Sequence, residues 1–240
     1  MYKDFSFNLK GINEIPNTKR KHLTDLQLLA QLHLGAKIYS KYAESALLLI
    51  FGGGKNKPYE AYEVFAHKYN FMHLAGVRSQ TLGAAEFYQA CLEGKIKRED
   101  CSPVHSVSNM YSKVSVLNQL LDLKNSKCYK IGEKDLVTKN NDFEMAIGNS
   151  SGVVGYDHRI SLKGTNIVDK TKLPMPTTLI TTPITQLVSK PEKIIFILQR
   201  NLDEEKYGKI FFEIKKDLLQ EEYYLLPEQI RQHINPIIRI

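Results

Sequence analysis

The sequence predicts an α+β fold, with helices grouped ahead of a run of antiparallel strands, on three observations. A helical period of apolar residues opens at Leu23 and recurs at Leu26, Ala30, Leu34, Ile38 and Tyr42. Two more helical stripes lie between residues 81 and 123. From Lys127 onward, period-two alternation replaces the helical period. Helices gathered before strands, rather than alternating with them, indicate α+β over α/β. At 240 residues, 42% apolar and 25% charged, the chain can bury a core without covalent staples.

The elements follow in order. Residues 1–21 hold a short amphipathic piece, Phe5 to Leu9, and a polar lead-in. The first helix starts near Leu23, with Thr18 or Thr24 as its cap. Ala46 to Phe51 is a buried strand ending in Gly52-Gly53-Gly54. Those glycines precede Lys55, but GxxxxGK[ST] is absent and Lys57-Pro58 opens no helix, so a hairpin loop is expected. Residues 62–67 alternate as a strand, turn through Lys68-Tyr69-Asn70, and resume as a second strand from Phe71 to Ala75. Helices are expected from Thr81 to Glu93, stopped by Gly94, and from about Val104 to Leu123, with Val107, Met110, Val114, Leu117 and Leu121 as its stripe. Cys128 to Ile131 is a short strand. Residues 143–147 and 153–157 form a hairpin turned by Gly148 to Gly152. Residues 164–186, with Pro174 and Pro176, lack a period and predict a long loop. Lys193–Gln199 and Lys209–Ile214 form a last strand pair, and the tail from Glu221 shows no clear pattern.

Net charge is +7 and the pI is near 9.1, which suits a polyanionic partner without requiring one. Cys91, Cys101 and Cys128 are odd in number and lack CxxC spacing, so reduced, buried thiols in a cytoplasmic protein are expected. No apolar leader opens the chain, and the run Ala46 to Phe51 is too short to cross a bilayer. The sequence contains no HExxH, no clustered carboxylates and no Cys/His ligand spacing, so neither a metal nor a cofactor is expected.

His73 is the chief chemical candidate. On a strand between Met72 and Leu74 its ring would be partly desolvated, leaving a neutral imidazole as a base near neutral pH. The bland alternative is a core histidine bonded to a carbonyl. His67 and His158 are further candidates, each also readable as a surface residue.

Asn70-Phe71-Met72-His73-Leu74-Ala75-Gly76 resembles the NFxHLxG signature of a phage-associated nuclease-like family in the Barnase–EndoU–Colicin–RelE-like (BECR) superfamily. Ala85 to Tyr88, Ile147 to Asn149 with Gly155 to Arg159, and Ser189-Lys190-Pro191 leading into Ile194 to Ile197 resemble it too, in order, between residues 45 and 215. The resemblance implies helices packed on a curved antiparallel sheet and a metal-independent endoribonuclease of a mobile-element or toxin-type system. Residues 45–215 would be that domain, 1–44 a helical extension, and 216–240 a tail packed on or extending the same domain. Its partners would be RNA, with tRNA or mRNA as candidate targets, and an antidote or immunity protein.

Metal-free RNA cleavage needs a base for the ribose 2′-hydroxyl, a cation for the phosphorane and an acid for the 5′-oxygen. In that scheme His73 is the base or acid, Arg159 or Arg78 the phosphate clamp, and Lys190 a second cation. Ser189, Thr178 and Thr182 would donate to a non-bridging oxygen, and Ser79 follows Arg78 in a hydroxyl-rich run. Simpler readings stand beside these: Arg159 as an exposed partner of Asp157, Lys190 as a polar strand entry. Adjacent residues of a strand point opposite ways, which argues against a Ser189–Lys190 hydrolase. The alternative function is an inactive nuclease-like fold that binds RNA or protein.

Overall fold

A computed structural model describes residues 22–54, 57–124, 129–133, 143–162, 165–168 and 172–239; of 159–162, 165–168, 237 and 239 it describes the backbone alone. Phe5 to Leu9, the candidate cap Thr18 and Cys128 lie outside the described residues.

The expected α+β architecture is present: helices packed on a curled antiparallel sheet. Its strands are β1 (Ser45–Gly52), β2 (Tyr59–Ala66), β5 (Lys130–Glu133), β6 (Met145–Asn149), β7 (Gly152–Asp157), β10 (Met175–Ile180), β11 (Glu192–Asn201) and β12 (Lys209–Glu213). They run in the order β10-β7-β6-β5-β11-β1-β2, with β12 also on β11. Two small ladders lie beside it: β3 (Val77–Arg78) with β4 (Ser102–Pro103), and β8 (Arg159–Leu162) with β9 (Thr165–Val168). The helices are α1 (Asp25–Tyr39), α2 (Asn70–Leu74), α3 (Ala84–Leu92), α4 (Val107–Leu121), α5 (Leu218–Glu222) and α6 (Glu228–Arg231).

β1 is apolar on both faces because both are covered. Leu47 and Leu49 enter the core shared with α1 to α4, while Ala46, Leu48 and Ile50 meet the C-terminal tail. Gly52 and Gly53, at φ 87° and 73°, make the left-handed turn into β2 that the glycine run promised. The hairpin of β6 and β7 and the pair of β11 and β12 also form as expected.

Thr24 caps α1, its hydroxyl accepting from the Gln27 amide at 3.2 Å while the Gln27 side chain returns the bond at 3.0 Å. Of the expected stripe, Leu23, Ala30 and Tyr42 are buried, but Leu26 is 62% exposed, and the α1 face set deepest runs through Leu28, Leu32, Gly35, Ala36 and Tyr39. Both stripes are apolar in sequence; close approach decides between them. A Cβ on Gly35 would stand 2.9 Å from Leu117 Cδ2, so α4 packs against the small-residue stripe. On α4, Met110, Val114, Leu117 and Leu121 are buried as expected, whereas Val107 is exposed in the first turn beside the Ser106 cap.

The described part of residues 164–186 is not the expected loop. It contains β9 and the edge strand β10, with Pro176 inside it. An edge strand tolerates proline because its outer amide needs no ladder partner. The pairing of β10 with β7 slips between Pro176 and Thr178, leaving Thr177 as an extra residue in a bulge. At the other margin, the Phe65 amide of β2 donates to the Pro174 carbonyl at 2.9 Å, curling the sheet so that β2 and β10 approach.

The tail covers the outer face of the sheet. Leu219, Tyr223, Leu226, Ile230 and Ile234 pack on Ala46, Leu48, Ile50, Phe196 and Leu198. Cys91 and Cys101 are free and buried; burial pushes both thiols up, Cys101 to about 12, so neither is a ready nucleophile. Among the described residues, no helix is long and apolar enough to cross a membrane.

Candidate functional site

The stretch after β2 does not resume as a strand. Asn70 to Leu74 winds into α2, burying Phe71 and Leu74, with Ala75 beyond them. Residues at i, i+3 and i+4 share a helical face, and in five residues that spacing is hard to tell from alternation. Gly76, at φ 68°, ends the turn, its amide donating to the His73 carbonyl at 2.9 Å. His73 therefore lies on the face opposite Phe71 and Leu74, partly exposed at the surface rather than within a strand.

Three elements converge on that ring. Because the seam brings β2 to β10, α2 lands against β10 at the Thr177 bulge. The Val104 amide donates to the Gly76 carbonyl at 3.1 Å, extending the ladder of β3 and β4 and carrying His105 to the end of α2. Lys113, on α4, lays its stem across Gly76, where a Cβ would stand 2.8 Å from its Cδ.

The His73 imidazole is held below its ordinary pKa, first by desolvation, then by the Lys113 ammonium and by His105. A backbone hydrogen bond with Thr177 acts in the opposite direction. A bond that favours the charged ring is one the ring donates, so the Thr177 carbonyl is the acceptor. Desolvation alone lowers Lys113. Among the described residues no carboxylate pairs with this ammonium. The first turn of α4 passes Gly76 at Asn109 and Met110, and the start of a helix is its positive end. The site thus combines a base that is neutral near pH 7 with an electropositive wall, an arrangement suited to a phosphodiester.

The family model for phage-Barnase-EndoU-ColicinE5/D-RelE like nuclease 4 matches residues 31–216. The chain belongs to this nuclease family. No curated protein and no solved structure matches it. The match runs from within α1 to just beyond β12, so it takes in the whole curled sheet and every residue around His73.

This nuclease places its other candidate residues in several locations. Thr178 adjoins Thr177 on β10, its methyl group turned toward Gly155, and Thr182 follows in the turn beyond. Arg78 is exposed and pairs with Ser102, three residues before His105. Ser79 is engaged locally, its hydroxyl accepting from the Thr81 and Leu82 amides at 3.3 and 3.1 Å. Arg159 opens β8; its side chain lies outside the described residues. Ser189 and Lys190 are exposed at the entry to β11 beside β5, with β5, β6 and β7 between them and β10. They are not brought to His73. His67 lies 3.2 Å from Glu44, and His158 2.9 Å from Glu144.

Sequence reasoning missed Lys113, His105 and the Thr177 carbonyl. Lys113 borders the apolar stripe of α4 between Met110 and Val114, where a lysine ordinarily reads as solvated. A cavity of about 670 Å³ lies on the far side of β2, under the tail. It is lined by Glu60 and Glu63 as well as His158 and His233. Carboxylates repel a phosphodiester, which favours the His73 face for phosphate chemistry. Among the described residues, no group of His, Cys, Asp or Glu side chains is arranged to hold a metal ion.

Proposed function

We propose that this nuclease is an endoribonuclease that cleaves RNA without a metal. The observation that carries the reading is the placement of Lys113, its stem crossing Gly76, beside the partly exposed ring of His73. His73 takes the proton of the ribose 2′-hydroxyl, and the 2′-oxygen attacks the adjacent phosphorus. Lys113 and the amino end of α4 neutralise the charge that develops on the non-bridging oxygens. His105 delivers a proton to the departing 5′-oxygen. The products are a 2′,3′-cyclic phosphate and a 5′-hydroxyl. Arg78 and Thr178 flank this centre and would guide the chain of phosphates. The family and the basic charge further support a cytoplasmic toxin of a mobile element, with an immunity protein as its partner.

The test uses paired RNA and DNA oligonucleotides of one sequence, incubated with the full chain in EDTA. RNA is expected to be cut to cyclic phosphate ends, and DNA, lacking the 2′-hydroxyl, to stay intact. Cleavage that needs an added divalent ion, or cuts DNA equally, would refute the proposal. RNA binding with no cleavage would instead mark the chain as a binding module.

A further inference from the structure

We propose that Tyr69 is the stacking platform of an RNA subsite beside His73, holding one unpaired nucleobase next to the bond that is cut. The proposal rests on the reading of His73 as the cleavage centre and adds where its substrate is gripped.

Tyr69 is 52% exposed, unusual for a large aromatic ring in this chain. Its backbone is already helical, at φ −63° and ψ −23°, immediately before α2. His73 is four residues on, so the two side chains share one helical face about 6 Å apart. That face points away from buried Phe71 and Leu74.

The ring is held in place. It stacks on His67 with centroids 4.3 Å apart and planes 24° from parallel. His67 is itself fixed from below: Phe65 meets its edge at 5.6 Å, and its Nδ1 accepts from the Tyr69 amide at 3.3 Å. Phe65, His67 and Tyr69 form a short column of rings rising from β2 toward solvent. A flat ring braced by a stacked neighbour and half exposed to solvent is what an unstacked base requires. Lys68 Nζ lies 5.7 Å from the Tyr69 centroid. As a base arrives, that flexible ammonium can leave the ring for the neighbouring phosphate.

The chain contains no tryptophan, so Tyr69→Trp introduces a single, selectively excitable indole at the platform. In a His73→Ala background, which slows cutting at least about a hundredfold, a short single-stranded oligoribonucleotide of mixed sequence is expected to quench it saturably. The same oligonucleotide with abasic positions should leave the indole bright, as should placing the indole at Tyr224, 73% exposed on the tail, when either RNA is added. In the same His73→Ala background, Tyr69→Ala should weaken RNA binding about tenfold, and Tyr69→Phe, which keeps the stacking ring, should leave it unchanged. Labelled RNA that binds by fluorescence polarisation without quenching the indole, or that binds equally well after Tyr69→Ala, overturns the platform while leaving the cleavage reading intact. Absence of both RNA binding and cleavage overturns the two together.

Discussion

His73→Ala is expected to lower kcat/KM for RNA roughly a hundred- to ten-thousand-fold, the usual contribution of a positioned acid or base. The melting temperature should stay near that of the native chain. The ring faces solvent, and its backbone bond is to the Thr177 carbonyl, which can turn to water once the imidazole is gone. Phe71→Ala is the natural contrast. That ring is fully buried between α2 and the core and contacts Tyr39 and Tyr88, so its loss should cost about 3 to 5 kcal/mol of stability. Cleavage and thermal unfolding measured on both variants separate chemistry from folding. Native activity in His73→Ala removes the imidazole from the mechanism. A fall in activity matched by a fall in melting temperature would make His73 a structural residue.

Lys113→Met should be nearly as damaging to activity, with a drop on the order of a hundredfold from loss of a charge stabiliser. Its effect on pH dependence is more telling. The His73 pKa lies below its ordinary value, with desolvation the largest cause and Lys113 the next. The acid limb of kcat/KM should therefore fall below about pH 6.5 in the native protein. Without the ammonium it should move upward, though not fully, because the ring stays desolvated. Folding follows the same sign. The unfolded chain takes up the His73 proton at a higher pH than the folded chain does. Stability from this group is thus complete above about pH 6.5 and is lost as the pH falls through the folded pKa. Lys113 itself is lowered by burial, so its charge is carried at a cost to the fold below its pKa. An apolar stem of similar length removes that cost, and Lys113→Met is expected to melt higher than the native protein while cutting RNA poorly. A pH profile that does not move would dissociate Lys113 from His73.

The parts of the fold legible in the sequence are those with local causes. Gly52 and Gly53 mark the turn after β1 because only glycine adopts their backbone freely, and the hairpin of β6 and β7 shows in plain alternation. Helix α2 is hard to tell from a strand because Phe71 to Ala75 fits two periods equally well, and only the packing of Phe71 and Leu74 chooses between them. Strand β10 was hidden by prolines that are costly in a sheet interior and harmless at its margin. In the site, His73 carried a sequence signal, whereas its neighbours did not. His105 and Lys113 stand 32 and 40 residues further on, brought back by the ladder at Gly76 and the packing of α4. Thr177 contributes a carbonyl, a group that every residue possesses.

The back of the sheet limits how far the chain can be shortened. The segment recognised as a nuclease ends at residue 216, before α5 begins. Leu219, Tyr223, Leu226, Ile230 and Ile234 each contribute roughly 1.5 to 3 kcal/mol by burial. Their sum rivals the whole stability of an ordinary domain, roughly 5 to 15 kcal/mol. A recombinant fragment trimmed to the recognised segment should therefore emerge as inclusion bodies, its greasy rear wall gluing one molecule to the next.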